Sequence, residues 1–183
     1  MATPAAPAAA PAAQPKNRAG FVDLGGAISR SECYCLNEHS SFPFTNLFIG
    51  DETLLLKSDA DEQLILHVEF QDAVKLHSIR VVAPPGETAP RVLKLYANRA
   101  NLGFSDAGDI EPTQRIEFAD AEELAKPGKD VELRFVKFQR VKGLTIFVEE
   151  NHGADDTAIA SIKFFGEPIA GTNMNELKKV SDE

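Results

Sequence analysis

The sequence predicts an all-β domain, built as a two-layer antiparallel β-sandwich. Three observations carry this. About eight short apolar runs are separated by Gly, Pro and Asx turn residues. No long amphipathic helical pattern interrupts them. The richest stretch, Val131 to Glu150, is two β-rich runs joined by Arg140-Val141-Lys142-Gly143. In its second run Leu144, Ile146 and Val148 share one face, with Thr145, Phe147 and Glu149 on the other. That period of two is the mark of a half-buried strand. In the first run Val131, Leu133 and Phe135 alternate before Val136 and Phe138 take over. The phase shift predicts a bulge, or burial on both faces. Residues so rich in Phe, Val, Ile and Leu are poor surface material, so other strands are expected to close over this pair.

Taken in order, the chain opens on Ala/Pro low complexity from Met1 to about Pro15. Pro interrupts helix and sheet, and Ala offers little apolar area to offset ordering, so residues 1–19 are expected to form a disordered arm. The sandwich is expected over residues 20–170. Phe21 to Leu24 and Ala27-Ile28 form a packed lead-in, and Phe42 to Ile49 an apolar loop closed by Gly50-Asp51. Leu54 to Lys57 is a short strand. Glu62 to Phe70 alternates, with Leu64, Leu66, Val68 and Phe70 on one side. Val74 to Ala83 follows. A hairpin at Gln71-Asp72-Ala73 sets Glu69 opposite Lys75 and Ile65 opposite Ile79, a favoured register that a crossing between two sheets would break. Pro84-Pro85-Gly86 turns into a strand at Val92 to Ala97. Asn98 to Pro112 reads as a long polar surface loop, and Gln114 to Phe118 as a strand. Asp120 reads as the N-cap of one helical turn ending at Pro127-Gly128. Thr157 to Phe165 is the last strand, closed by Gly166 and Pro168. Residues 171–183 form a tail with a short helix, because Asn173 and Glu176 resemble a capping box and Lys178 and Lys179 suit the far end of its dipole. So short a helix needs a docking surface for Met174 and Leu177.

The totals limit what the chain does. With 183 residues and a formal charge of -9, it is one domain with tails, soluble and poorly suited to a nucleic-acid backbone. No stretch has the length and apolarity of a membrane span. The Ala/Pro start does not read as a secretory signal, no Asn-x-Ser/Thr site occurs, and Cys33 and Cys35, one residue apart, cannot staple distant segments. A cytoplasmic, or also nuclear, monomer without a cofactor is expected.

Several residues are candidates for chemistry. Cys33 and Cys35 suit a redox pair, or half a metal site with His39, but free Cys is more often a small buried hydrophobe. In the proposed hairpin His67 faces His77, with Glu69 as a third metal ligand by position, but two His on a strand face are more often polar surface or satisfied core. Asp59, Asp61 and Glu62 offer oxygen ligands without a calcium-loop spacing, and a loop whose hydrogen bonds fix the fold is the favoured reading. Asp106, Asp109 and Glu111 are solvated, or an acidic contact surface on a loop. No nucleophile elbow, phosphate-cradling Gly loop or dinucleotide fingerprint is present, so an enzyme is not supported.

Cys35-Leu36-Asn37-Glu38, Ser58 to Leu64, Val74-Lys75-Leu76, Arg134 to Gln139, Thr145 to Val148 and Thr172-Asn173-Met174-Asn175 carry a resemblance. Together they resemble the PITH domain, the proteasome-interacting module of a thioredoxin-like protein, from roughly Phe21 to Val180. The resemblance implies a jelly-roll, galactose-binding-like sandwich and association with the regulatory particle of the 26S proteasome. No Cys-x-x-Cys occurs, so the redox half of the fused family members is not found in this sequence. Met174, Asn175, Leu177 and Lys178 are the candidate partner-binding residues. The competing readings are a small-ligand or carbohydrate-binding sandwich, weakened by the lack of Trp and by only two Tyr, and a thiol redox protein using Cys33 and Cys35.

Overall fold

The computed structural model describes residues 21–169. Ten strands and one short helix follow in the order β1 (Val22–Asp23), β2 (Tyr34–Leu36), β3 (Leu56–Lys57), β4 (Leu64–Val82), β5 (Pro90–Ala97), α1 (Phe104–Asp109), β6 (Gln114–Glu117), β7 (Lys129–Glu132), β8 (Val141–Asn151), β9 (Ala158–Ile159) and β10 (Ser161–Pro168). The main sheet runs β1-β10-β4-β8-β5-β6, with β2 and β7 also paired to β4, and β3-β9 forms a separate pair. Every pairing is antiparallel.

The expected hairpin at Gln71-Asp72-Ala73 is not there. β4 is one strand of 19 residues that changes neighbours at this point. Its first part, Leu64 to Glu69, pairs with β8, and Ile65 to His67 also pair with β2. Its second part, Val74 to Val82, pairs with β10, and Ser78 to Val81 also pair with β7. One strand thus belongs to both layers, and the exposed Gln71 and Asp72 mark the crossing. The charge pattern that favoured a hairpin is satisfied otherwise. Lys75 lies opposite Glu167 of β10, and Glu69 meets His67 and Lys142.

The main core lies between the layers. Leu64, Leu66, Val68 and Phe70 all join it, as their alternation requires, and so do Leu144, Ile146 and Val148 of β8. Phe70 meets Phe164 edge to face at 5.8 Å. Gly166 sits at a register shift in β10, where a Cβ would come within 1.9 Å of the Lys75 carbonyl oxygen, so only glycine fits.

β8 is buried on both faces rather than one. Thr145 and Phe147, expected on the wet side, are 0% and 2% exposed. They lie under segment 98–112, which contains α1 and closes a second cluster of Ile65, Tyr96, Leu102, Ala107 and Phe147. Gln114 to Glu117 is the expected short strand. Asp120 caps its turn, its carboxylate accepting the Glu122 N–H at 3.0 Å.

Candidate interaction surface

The stretch from Val131 to Phe138 is not the continuous strand that its composition suggests. β7 stops at Glu132, and Phe135–Phe138 is a 3-10 turn. The Leu133 N–H donates to the His77 carbonyl at 2.8 Å, which holds the strand end. One residue later the Arg134 N–H donates to the Gln114 side chain at 2.8 Å. The turn closes through Lys137 N–H to the Arg134 carbonyl, 3.0 Å, and Gln139 Nε2 to the Phe135 carbonyl, 2.8 Å. Leu133 and Phe138 point inward, at 5% and 0% exposure. Phe135 and Val136, between them, stand at 66% and 84%. The phase shift in the sequence is this turn.

Exposing Phe and Val at such levels forgoes about 1.5–3 kcal/mol of burial for each side chain. Arg134, Lys137 and Arg140 flank them, all exposed, and none makes an ion pair among the described residues. Beside Phe135 lies a small hollow lined by Phe21, Lys75, Leu76, His77 and Glu167. Phe21 stacks on His77 there at 4.0 Å, and His77 Nε2 lies 3.3 Å from Glu132. The result is an apolar knuckle in a basic collar. Sequence reasoning missed Phe135 and Val136 because apolar residues beside a strand were assigned to the core. The available signal was the spacing of Arg134, Lys137 and Arg140, which fits three residues per turn better than two.

The other candidate residues are occupied structurally. Cys33 and Cys35 are free thiols. Burial raises the Cys33 pKa, against a lowering by the Glu69 N–H that points at its sulfur. Burial, and then the nearby Glu38, push the Cys35 thiol up to about 12. Neither is set up as a thiolate at neutral pH.

His67 and His77 lie ten residues apart on one unbroken strand, about 30 Å at the usual rise, so they cannot share an ion. His67 is instead buried beneath segment 98–112. The Thr145 hydroxyl donates to the Arg99 carbonyl at 2.5 Å, so its oxygen accepts from His67 Nδ1 at 2.9 Å. His67 Nε2 faces Glu69 at 2.9 Å, and the ring stacks on Tyr34 at 5.0 Å. Gly143 lies opposite Glu69, and a Cβ on it would come within 2.8 Å of Glu69 Oε1. The shallow cleft of about 210 Å³ beside this network is floored by His67, Glu69, Asn98 and Lys142, which are already hydrogen-bonded.

Asn37, at φ 70°, ties down the acidic loop through Asp61 Oδ1 at 2.9 Å and the Gln63 carbonyl at 2.7 Å. Thr157 completes the tie, donating its hydroxyl to the Glu62 carbonyl at 2.6 Å. These are fold-fixing bonds. Asp106 accepts the Gly103 N–H at 3.1 Å at the start of α1, while Asp109 and Glu111 are exposed. Met174, Asn175, Leu177 and Lys178 lie outside the described residues.

The PITH domain family matches residues 14–182. Thioredoxin-like protein 1 of Schizosaccharomyces pombe is 40% identical over 165 residues, covering 88% of this chain and 57% of that protein. PITH domain-containing protein P35G2.02 of the same organism is 37% identical over 130 residues, covering 65% of this chain and 61% of that protein. The chain therefore spans about six-tenths of the length of these two relatives. Among solved structures, the family 32 CBM from C. perfringens NanJ, in complex with galactose, superposes with a TM-score of 0.59 at 12% identity, covering 78% of this chain and 97% of that one. At that identity the likeness concerns the fold alone, and it fixes the fold as a galactose-binding-like antiparallel β-sandwich. On the extent of the family match and the identity to these two proteins, the chain belongs to the PITH domain family.

Proposed function

We propose that this domain is a non-enzymatic protein-interaction module that docks on the regulatory particle of the 26S proteasome, in the cytosol or nucleus. Family membership supports the reading, because resemblance to PITH domains implies that association. The observation that carries it is the knuckle, with Phe135 and Val136 at 66% and 84% exposure on a turn anchored by buried Leu133 and Phe138. A fixed apolar protrusion suits insertion into a partner's groove. The redox alternative is disfavoured by two thiols with raised pKa. The sugar-binding alternative lacks a tyrosine platform, since Tyr96 is 1% exposed and Tyr34 is stacked on His67.

The test is co-sedimentation of the purified chain with purified 26S proteasomes, comparing wild type with the double substitution Phe135→Ser, Val136→Ser. Wild type is expected to co-sediment, and the variant to bind at least about tenfold more weakly, as for loss of an aromatic anchor. Absence of wild-type binding refutes the reading.

A further inference from the structure

We infer that the knuckle recognises an acidic protein segment, one that offers an apolar socket bordered by Asp or Glu side chains. This deepens the reading above and rests on it for the surface, though not for the identity of the partner.

The charge of the knuckle runs against that of the whole chain. The chain carries 28 acidic and 19 basic residues, for a net charge of -9. From Leu133 to Val148 the sign reverses: Arg134, Lys137, Arg140 and Lys142 occur, with no Asp or Glu. Several cations elsewhere are taken up by neighbours, although Lys75, Arg99 and Lys163 also make no ion pair among the described residues. Arg80 pairs with Asp130, Arg91 with Glu117 and Glu150, Lys94 with Glu149, and Lys129 with Glu123. Lys142 turns inward to the Phe70 and Gln71 carbonyls. Arg134, Lys137 and Arg140 form no such pair among the described residues, and in sequence they flank and interleave with the most exposed large apolar side chains of the described fold, with Glu167 the carboxylate that lines the hollow beside Phe135. Unpaired cations around an apolar tip match a socket with an acidic rim. Steering by opposite charge then sets the encounter, and burial of Phe135 sets the residence.

Anionic lipid and RNA share part of this chemistry. A protein partner is favoured because only two apolar side chains protrude, little for holding a bilayer, and because the net charge of -9 opposes a polyanion beyond the contact.

The experiment has two arms. In the first, purified 26S proteasomes are co-sedimented with wild type and with the charge reversal Arg134→Glu, Lys137→Glu, Arg140→Glu, across a salt series. The reversal is expected to weaken binding at least about tenfold and to flatten its salt dependence. Thermal unfolding of the variant is expected to match wild type, because the three side chains are exposed. If wild type binds and the reversal binds equally well at every salt concentration, the acidic-partner inference is overturned while the module reading stands.

In the second arm, the full chain is titrated by amide NMR with a synthetic peptide in which Glu residues surround one Leu. A Lys-for-Glu counterpart, phosphatidylserine vesicles and a single-stranded RNA oligonucleotide are titrated alongside. Shifts confined to residues 134–140 with the Glu peptide alone support the inference, even if proteasomes are not bound, and the partner is then another acidic protein. Equal response to both peptides, stronger binding to vesicles or RNA, or no response at residues 134–140 overturns it.

Discussion

Segments 98–112 and 133–140 both connect consecutive strands of the chain, yet one is tied down along its length and the other only at its ends. The first is held by side chains that rise from the sheet to meet its backbone. Tyr96 donates to the Ala107 carbonyl at 2.7 Å, Tyr34 accepts the Asn101 N–H at 2.8 Å, and Thr145 donates to the Arg99 carbonyl. Leu102 and Ala107 seal the contact, at 6% and 0% exposure. The second is held by Leu133 and Phe138, with its middle turned to solvent. Polar composition therefore did not make the first a free surface, and apolar composition did not make the second a core strand. A connection is fixed where buried side chains can satisfy its backbone groups, and it is displayed where they do not reach.

The largest expected effect breaks the anchor. Phe138→Ala should lower unfolding stability by about 3–5 kcal/mol, the range for emptying a buried Phe site, whereas Phe135→Ala should change it by less than about 0.5 kcal/mol. Urea denaturation of the two variants measures the contrast directly, and equal losses would mean that Phe135 is not displayed.

Next comes Gly143→Ala. It forces a Cβ against Glu69 and His67, with an expected cost of about 1–3 kcal/mol from overpacking. Amide exchange should also quicken across residues 98–103, which the His67 network holds.

Tyr96→Phe is milder. It removes the hydroxyl that Ala107 accepts and should cost about 1 kcal/mol. Faster exchange should be confined to α1 and its flanks, leaving residues 134–140 unchanged.

The smallest effect at neutral pH concerns the thiols. The folded Cys35 holds its proton up to about 12, above the ordinary thiol value of 9.0. Its contribution to stability is therefore complete below the unfolded value, and it is lost as pH rises from about 9 towards 12. Chemical denaturation across that window should show stability falling with pH, with a shallower slope in Cys35→Ala. Alkylation of the native chain at neutral pH should be slow at both cysteines.

Much of the sandwich was legible in the sequence, because Leu64, Leu66, Val68 and Phe70 keep a strict period of two, and Asp120 has the chemistry of an N-cap. The hairpin was misread because Glu69 finds Lys142, and Lys75 lies opposite Glu167, both far away in the chain. The face of Thr145 and Phe147 was misread because what covers it, α1, arrives from a segment too polar to announce burial. The knuckle was hidden for the converse reason. Its Phe and Val are strand formers, and only the three-residue spacing of its cations betrays the turn.

Hydrogen–deuterium exchange of the chain, free and bound to purified 26S proteasomes, reads out which of the two connections meets the partner. Protection on binding is expected at residues 134–140, with exchange at 98–112 unaltered. Protection at 98–112 with none at 134–140 would mean that the knuckle is not the docking surface.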